Sequence, residues 1–390
     1  MIALPDPRLK ELLRDYPESL FNDHFYAACD LVERYVLCLS VDVAIALEIA
    51  EPLQGAGLTA AGLAEARRFD PSFLPALRWL LKRLRDADLL VEDAAGGERT
   101  YRLNGALEHR SLEPLRAALL ANDPHHAPTL DLLDAAAATY PKVARGEARG
   151  ADALFGLGQV ALWCAYFDNA NPIYAVNNRV AALSAARRLS AIATPRILEL
   201  GAGAGSGTEA LLGELAERGI TPSSYRATEP SQFFRRRAER GLRSRHAGAN
   251  LTFAGLDIDH PWAEQGIAPG SLDLIFGVNV LHVARDLQFS LVEARTALAP
   301  GGFLILGEAL RPRSDEAIWA EFVFQLLDGF TEVNLDPILR PTHGFLDPST
   351  WATALRHAGF SEVKVEPDVA EIHQLYPAFC TGAICGSRPS

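Results

Sequence analysis

The stretch Ile197-Leu198-Glu199-Leu200-Gly201-Ala202-Gly203-Ala204-Gly205 decides the fold of this chain. Its first four residues predict a short buried strand, and the glycines after them predict a tight turn. The residues that follow, Thr208 to Ala216, have the composition of a helix. In open α/β sheets, ligands bind beyond the carboxyl ends of the strands, at turns of this kind. Glycine suits such a turn because the backbone meets the ligand without an intervening Cβ.

Apolar runs after Pro195 predict the other strands of the same sheet. They alternate with amphipathic helices, and this alternation is typical of a parallel sheet covered on both faces. Two late runs complete the sheet, so the predicted fold class is α/β, with a Rossmann-like seven-stranded core. The predicted strands are Arg196–Leu200, Tyr225–Thr228, Leu251–Ala254, Leu272–Val278, Gly302–Gly307, Glu362–Val365 and Ala378–Ile384.

The sequence pattern before this core is typical of a helical domain of the winged-helix type. Phe21 to Ala50 carries apolar residues at helical spacing, and Thr59 is placed to cap a second helix. Asp70-Pro71 opens a third helix. Two short β runs, Leu89–Val91 and Thr100–Leu103, then flank a turn at 94–97 and predict a hairpin.

These patterns divide the chain into three segments. A length of 390 residues exceeds that of one ordinary domain. We expect a helical, winged-helix domain that resembles a dimerisation domain at 1–105, a helical connector and pocket lid at 106–190, and the core at 191–390.

The charge of the chain bears on its partners. The formal net charge is −12, whereas nucleic acids and anionic membranes are bound through clustered Lys and Arg. The third predicted helix is apolar around most of its circumference, and a helix that reads DNA presents a polar face instead. We therefore expect neither a nucleic-acid partner nor a membrane partner. We expect the winged-helix region to pack against other parts of the protein or to form a homodimer.

Neither a secretion signal nor a metal site is expected. Met1 to Pro7 has no basic start and no apolar run, and no stretch reaches the ~20 apolar residues that span a bilayer. The five cysteines are scattered without a C-x-x-C pair, which is typical of reduced, structural thiols in a cytoplasmic protein. The adjacent His125 and His126 lack the spacing of metal ligands, and we expect them in a solvated loop.

Three acidic residues accompany the first three predicted strands of the core. Glu199 lies within the first strand, Glu229 follows the second and Asp257 follows the third. A carboxylate after the second strand can bind the ribose hydroxyls of a nicotinamide cofactor or those of an adenosyl cofactor. The glycine turn and Glu229 are therefore compatible with both classes of cofactor. The sequence contains no G-K-[ST] phosphate loop and no G-x-S-x-G elbow.

Residues 150–360 resemble the methyltransferase domains of polyketide synthases, many of which methylate the α-carbon of a β-ketoacyl thioester. The resemblance rests on the glycine stretch and on three further segments: Leu256-Asp-Ile-Asp-His-Pro, Ser271 to Leu287, and Leu298 to Glu308. The N-terminal region instead resembles the winged-helix dimerisation domain of small-molecule O-methyltransferases. Both resemblances imply a class I methyltransferase.

The resemblance implies S-adenosylmethionine as the cofactor. In this family an acid at the position of Glu199 helps to hold the amino-acid end of the cofactor, and residues at the position of Asp257 and Ile258 contact its adenine. The implied cofactor-binding residues are Glu199, Gly201, Gly203, Gly205, Glu229, Asp257, Ile258 and Asn279, and Tyr174, from an aromatic segment before the core, is a candidate for the roof of the pocket.

The resemblance also implies a catalytic pair, His282 and Glu308. His282 follows the predicted strand Leu272–Val278, and Glu308 ends the next strand, so both project from carboxyl ends of neighbouring strands. A neutral imidazole is a suitable base for a carbon acid or a hydroxyl, and a carboxylate on its far nitrogen holds its tautomer. His343 lies in the region that forms an acceptor-side loop in the family and is a candidate substrate contact.

The expected function is methyl transfer to an activated carbon, or to a hydroxyl, of a polyketide-like intermediate that is either a free small molecule or tethered to a carrier protein. Two alternatives stay open. Glu229-Pro230 stands where the family more often has Asp, and this departure leaves room for S-adenosylmethionine as a substrate of cyclisation or elimination. The winged helix leaves room for a non-enzymatic regulator.

Overall fold

A computed structural model describes residues 6–55, 57–94, 99–156 and 158–390. The first part of the chain is almost entirely helical. Its elements are α1 (Arg8–Leu12), α2 (Asp23–Ala46), β1 (Leu58–Thr59), α3 (Ala60–Arg67), α4 (Leu74–Asp86), β2 (Leu90–Asp93), β3 (Thr100–Leu103), α5 (Glu113–Asn122), α6 (Ala127–Ala144), α7 (Gly150–Leu154) and α8 (Val160–Tyr166).

The second part alternates strands with helices, as the apolar runs predict. Its elements are α9 (Pro172–Arg188), β4 (Arg196–Leu200), α10 (Ser206–Glu217), β5 (Ser224–Thr228), α11 (Gln232–Arg245), β6 (Leu251–Ala254), β7 (Leu272–Val278), α12 (Leu287–Ala297), β8 (Leu298–Ala309), α13 (Glu321–Phe324), α14 (Asp328–Thr331), α15 (Pro348–His357), β9 (Ser361–Glu366), α16 (Val369–Leu375) and β10 (Thr381–Ser387).

The chain forms two compact units. The helical unit consists of His24–Tyr166 and Asp315–Thr331, and the sheet unit consists of Phe167–Ser314, Glu332–Ser390 and the N-terminal segment up to Asp23. These bounds differ from those of the three predicted segments, whose division stays a prediction. Helix α9, which the sequence places in the connector, packs on β7, β8 and β10 of the sheet unit.

The helical unit contains the predicted succession of helix, turn, helix and hairpin. The Thr59 hydroxyl accepts a hydrogen bond from the backbone N–H of Gly62 and so caps α3, as predicted. Strands β2 and β3 pair antiparallel, and β1 adds a third strand in the order β1-β3-β2. The predicted turn residues 95–97 lie outside the described residues.

Helix α4 buries its apolar side chains, as expected of a helix that packs against other elements. Trp79, Leu80 and Leu84 are all buried, and the Trp79 indole N–H donates to the Glu321 carboxylate at 2.9 Å. The segment 315–331, predicted as part of the core, therefore packs in the helical unit.

The sheet unit has the predicted seven strands, in the order β6-β5-β4-β7-β8-β10-β9. Strands β6, β5, β4, β7 and β8 are parallel, and β10 runs antiparallel to both of its neighbours. Six of the seven residues of β7 and all seven of β10 are buried. Near-continuous burial of this kind requires cover on both faces of the sheet.

The predicted bounds of two strands were wrong by several residues. Strand β8 begins at Leu298 and not at Gly302, because backbone hydrogen bonds join Gly301 and Gly302 to Arg388 near the end of the chain. Strand β10 begins at Thr381 and not at Ala378, and its register pairs Thr381 with Ala309. Both bounds depend on pairing with a distant strand, which local composition does not encode.

In the described part of the chain, no helix combines the length and the apolarity that crossing a bilayer requires.

Substitution of two glycines in the sheet unit by alanine should change the stability in opposite directions. A Cβ at Gly307 of β8 would lie 2.7 Å from the Ala181 Cβ of α9, whereas a Cβ at Gly213 of α10 would meet nothing within 4 Å. Gly307→Ala should therefore lower the free energy of unfolding by about 1–3 kcal/mol through overpacking. Gly213→Ala should raise it by about 0.5–1 kcal/mol, since alanine is the better helix former. Urea unfolding followed by circular dichroism measures both, and a Gly307→Ala protein as stable as the wild type would contradict this packing.

Candidate functional site

In the glycine loop between β4 and α10, the backbone of the middle glycine has free space beside it. Gly201, Gly203 and Gly205 all have positive φ angles, of 58°, 52° and 96°. A Cβ at Gly201 would lie 2.5 Å from the Val280 side chain, and one at Gly205 would lie 2.8 Å from Leu242, so both positions pack tightly. At Gly203 the nearest atom would be 4.0 Å away. The loop therefore leaves space beside the backbone of Gly203, where the sequence predicts that a ligand binds.

Glu199 is buried beneath this loop and is held by two hydroxyls. Its carboxylate accepts hydrogen bonds from Thr208 at 2.5 Å and from Tyr225 at 2.8 Å. Burial raises the pKa of Glu199 to about 7, and the two hydroxyls partly offset this rise because they stabilise the ionised form. Thr208 and Tyr225 were not predicted as site residues, since neither stands out in the sequence.

Glu229 follows β5 and contacts the loop directly. One carboxylate oxygen accepts from the backbone N–H of Gly203 at 3.1 Å, and the other accepts from that of Ser231 at 2.8 Å. Burial raises the pKa of Glu229. The predicted acid of the second strand thus lies beside the open backbone of the glycine loop.

Asp257 and Ile258 lie in the turn after β6, and the Asp257 side chain is exposed. The Gln265 side chain braces this turn, because it accepts from the Asp257 N–H at 2.8 Å and donates to the Asp257 carbonyl at 2.8 Å. The Ile258 carbonyl accepts from the Ser290 hydroxyl at 3.0 Å. The turn therefore has a defined shape beside the carboxyl ends of the parallel strands.

Asn279 and Tyr174 meet at the end of β7. Asn279 has a φ of 51°, a region that asparagine tolerates better than most residues, and its side-chain carbonyl accepts from the Ala309 N–H at 2.9 Å. Burial raises the pKa of the Tyr174 hydroxyl, with Glu308 and Glu199 adding to the rise and the Asn279 side chain opposing it. The structure thus brings Tyr174 of α9 to the same edge as the acids.

His282 and Glu308 form a buried pair. The imidazole Nδ1 lies 2.7 Å from the Glu308 carboxylate, and the two residues are 4% and 0% exposed. The second Glu308 oxygen accepts from the backbone N–H groups of Val280 and Leu281, both at 3.2 Å. The predicted contact between these two side chains is therefore present.

Arg340 and Phe345 complete the surroundings of His282 and were missed in the sequence. The buried Arg340 guanidinium donates to the backbone carbonyl of Ala284 at 2.5 Å and to that of His282. Burial lowers the pKa of Arg340 to about 10, with Glu308 opposing the fall. The Phe345 ring lies 4.4 Å from the imidazole, centroid to centroid. His343, two residues earlier, accepts from Arg311 through its carbonyl at 3.3 Å.

The expectation for His126 was wrong. Pro124–His126 forms a 3-10 turn in which His126 is only 2% exposed, because the turn continues directly into α6. His125 is exposed. Among the described residues, no group of three or more His, Cys, Asp or Glu is placed to hold a metal ion. Four of the five cysteines are buried, as expected of structural thiols.

Comparison with known proteins identifies the domain that contains these residues. Residues 198–304, which contain the glycine loop and the three acids, match the family model described as a methyltransferase domain. The chain carries an S-adenosylmethionine-dependent methyltransferase domain. The site fits this cofactor, because the backbone at Gly203 is open and the carboxylates of Glu199, Glu229 and Asp257 lie in or just after three adjacent strands.

The relatives of this methyltransferase domain include large synthases. The chain is 30% identical over 327 residues to the polyketide synthase ThaQ of Burkholderia thailandensis. This match covers 80% of the chain and 15% of ThaQ. The chain thus spans a small part of the curated relatives that it matches.

Solved structures show the same fold over nearly the whole chain. The carbon methyltransferase CurJ is 24% identical, with a TM-score of 0.77, and the match covers 99% of this chain and 100% of CurJ. The trans-methyltransferase CalH, solved in complex with SAH, is 22% identical, with a TM-score of 0.60, and the match covers 96% of this chain and 92% of CalH. The helical region before the methyltransferase core is therefore part of the fold that the chain shares with CurJ.

The pKa of Glu199 predicts a pH-dependent stability. A carboxyl whose pKa is raised by folding stabilises the protein fully below its unfolded pKa, near 4.5, and loses this contribution as the pH rises through about 7. Glu199→Gln replaces the titrating carboxyl group by a neutral amide. The free energy of unfolding of this variant, relative to that of the wild type, should therefore increase by about 3 kcal/mol between pH 4.5 and pH 8.

Urea unfolding across this pH range measures the difference. Glu217→Gln, a substitution of an exposed glutamate at the end of α10, is the matched control and should show no such trend. A Glu199→Gln curve parallel to that of the wild type would show that the buried carboxyl titrates normally.

Proposed function

We propose that this chain methylates an activated carbon of a polyketide-like acyl intermediate, with His282 as the general base and Glu308 as the residue that orients it. The hydrogen bond between His282 and Glu308, at the edge of the sheet that carries the glycine loop, is the observation that supports this proposal most. The similarity to polyketide synthases and to a carbon methyltransferase supports the choice of a carbon acceptor.

The glycine loop and the residues around it would hold the cofactor. The open backbone at Gly203 and the Glu229 carboxylate beside it suit the ribose, and the turn at Asp257 and Ile258 suits the adenine. Asn279 and Tyr174 would border the reactive end. When bound, S-adenosylmethionine supplies an electrophilic methyl group on a positively charged sulfur.

The protein itself must remove a proton from the acceptor. A carbon between two carbonyls must lose a proton before it acts as a nucleophile, and an imidazole with a pKa close to neutrality is suited to accept it. In the proposed dyad, Glu308 accepts a hydrogen bond from the Nδ1–H of His282, so that Nε2 is the basic nitrogen. The carboxylate then stabilises the imidazolium that forms. A hydroxyl acceptor would be deprotonated by the same pair.

Glu308 is well suited to this role because its own position is determined by the backbone. The N–H groups of Val280 and Leu281 hold one oxygen and leave the other for His282. Three hydrogen bonds to the same carboxyl group fix its orientation. The acceptor would be a small molecule or an acyl group on a carrier protein, and a homodimer is the proposed assembly.

A methylation assay tests the proposal. Purified protein, S-adenosylmethionine labelled on the methyl group and a β-ketoacyl thioester of a small thiol should yield a product that carries the label on its α-carbon, as seen by mass spectrometry. His282→Ala should lower kcat by a factor on the order of 10²–10⁴, because the base is lost. Its affinity for S-adenosylmethionine, measured by calorimetry, should stay within a few-fold of the wild-type value.

His357→Ala, which alters an exposed histidine at the end of α15, is the control and should retain full activity. Near-normal turnover of His282→Ala would remove the assignment of the base. Methylthioadenosine released by the wild type without an acceptor would instead favour cyclisation or elimination of S-adenosylmethionine.

Arg340 should act as a positioning residue for His282. Arg340→Met removes both donors to the carbonyls of His282 and Ala284, and we expect kcat to fall by about 10-fold to 100-fold with little change in cofactor affinity. Guanidinium ion added to Arg340→Ala should restore part of kcat, which a merely misfolded variant would not show. Arg356→Met, on the exposed end of α15, is the control, and an Arg340→Met protein with unchanged kcat would contradict the role.

A further inference from the structure

Helix α11 is strongly basic, although the whole chain is acidic. Its sequence, QFFRRRAERGLRSR, has six arginines and a single glutamate, whereas the net charge of the chain is −12. The remainder of the chain is therefore even more acidic than the whole. Helix α11 directly follows β5 and Glu229, so it begins beside the glycine loop.

Three of these arginines have partners within the sheet unit. Arg235 donates to the Glu229 carbonyl at 2.6 Å. Arg243 pairs with Glu239 at 3.0 Å, and Arg245 pairs with Glu209 at 2.7 Å. Contacts within the folded chain therefore explain the presence of these three arginines.

The other three share the outer face of the helix with an aromatic residue. Phe233 is 53% exposed, and Arg236, Arg237 and Arg240 are exposed. Residues at these spacings lie on one helical face, which we call the α11 arginine face. It lies opposite the side on which Ala238 and Leu242 are buried. None of its three arginines forms an ion pair with another residue in the described ranges of the chain.

Two features of this face are unfavourable for the isolated protein. Arg236 and Arg240 are four residues apart and Arg237 and Arg240 are three apart, and like charges at such spacings destabilise a helix. An exposed Phe233 leaves aromatic surface in water. Arginine and aromatic residues are also the types that are enriched at protein interfaces. Stability therefore does not account for this face, whereas binding of an acidic partner does.

We infer that the α11 arginine face docks an acidic protein domain to which the acceptor is covalently tethered. The inference rests on the proposed function, which requires an acyl acceptor. Phe233 supplies an apolar contact among the three cations, and such a contact suits a folded protein surface. A long polyanion such as duplex DNA would extend beyond one helix and meet the acidic remainder of the chain.

The test compares one acyl group on two supports. The first is a negatively charged carrier domain loaded with a β-ketoacyl thioester, and the second is the same acyl group on a small thiol. Arg237→Gln/Arg240→Gln should lower kcat/KM for the carrier-bound acceptor by about 10-fold at low ionic strength, because charge complementarity speeds encounter. Its kcat/KM for the small thioester should stay within twofold of the wild-type value.

Arg245→Gln/Arg356→Gln is the matched control, since it removes the same charge away from this face, and it should leave both values unchanged. Wild-type activity on the carrier-bound acceptor should also fall with added salt. An equal loss on both acceptors, or no loss on either, would overturn the inference.

Binding of the unloaded carrier domain, measured by calorimetry, separates this inference from the proposed function. If the wild type methylates neither acceptor, the proposed function fails, while arginine-dependent binding of the carrier still supports the docking face. Arginine-dependent binding of duplex DNA, or a dimer that dissociates in Arg237→Gln/Arg240→Gln, would assign the face to a different occupant and overturn the proposal.

Discussion

The site depends on the burial of the Glu308 carboxylate. Glu308 is 0% exposed, and a carboxylate in such a place is tolerated only when hydrogen bonds replace its lost hydration. The backbone of Val280 and Leu281 and the ring of His282 supply these bonds. This requirement joins the end of β8 to the turn after β7 and orients the imidazole.

The same edge of the sheet collects the other polar groups of the site. Parallel strands all end on one side of the sheet, so Glu199, Glu229 and Asp257 lie at the same edge although they are separated in sequence. Val280 packs against Gly201 on the turn that also leads to His282. The glycine loop and the turn that carries His282 are therefore in direct contact, and changes in one are expected to affect the other.

The likeness to CurJ covers 99% of the chain, so the helical region belongs to the same shared fold as the sheet. The N-terminal region also has the order of elements that resembles the dimerisation domain of O-methyltransferases. One order of elements fits both resemblances, because helix, turn, helix and hairpin form a common supersecondary arrangement.

The resemblance of the sequence motifs to a known family implied the pairing of His282 with Glu308. The sequence by itself determined the seven strands, the glycine loop and the acids at the ends of the strands. These features have local or periodic signals: glycine where φ is positive, apolar runs for buried strands, and polar residues at strand ends. Only the tertiary structure decided which groups hold the site residues. The hydroxyls of Thr208 and Tyr225 on Glu199, and Arg340 on the His282 turn, are long-range contacts of unremarkable residue types. The burial of His126 and the place of residues 315–331 in the helical unit likewise follow from packing between distant segments, which composition and periodicity do not encode.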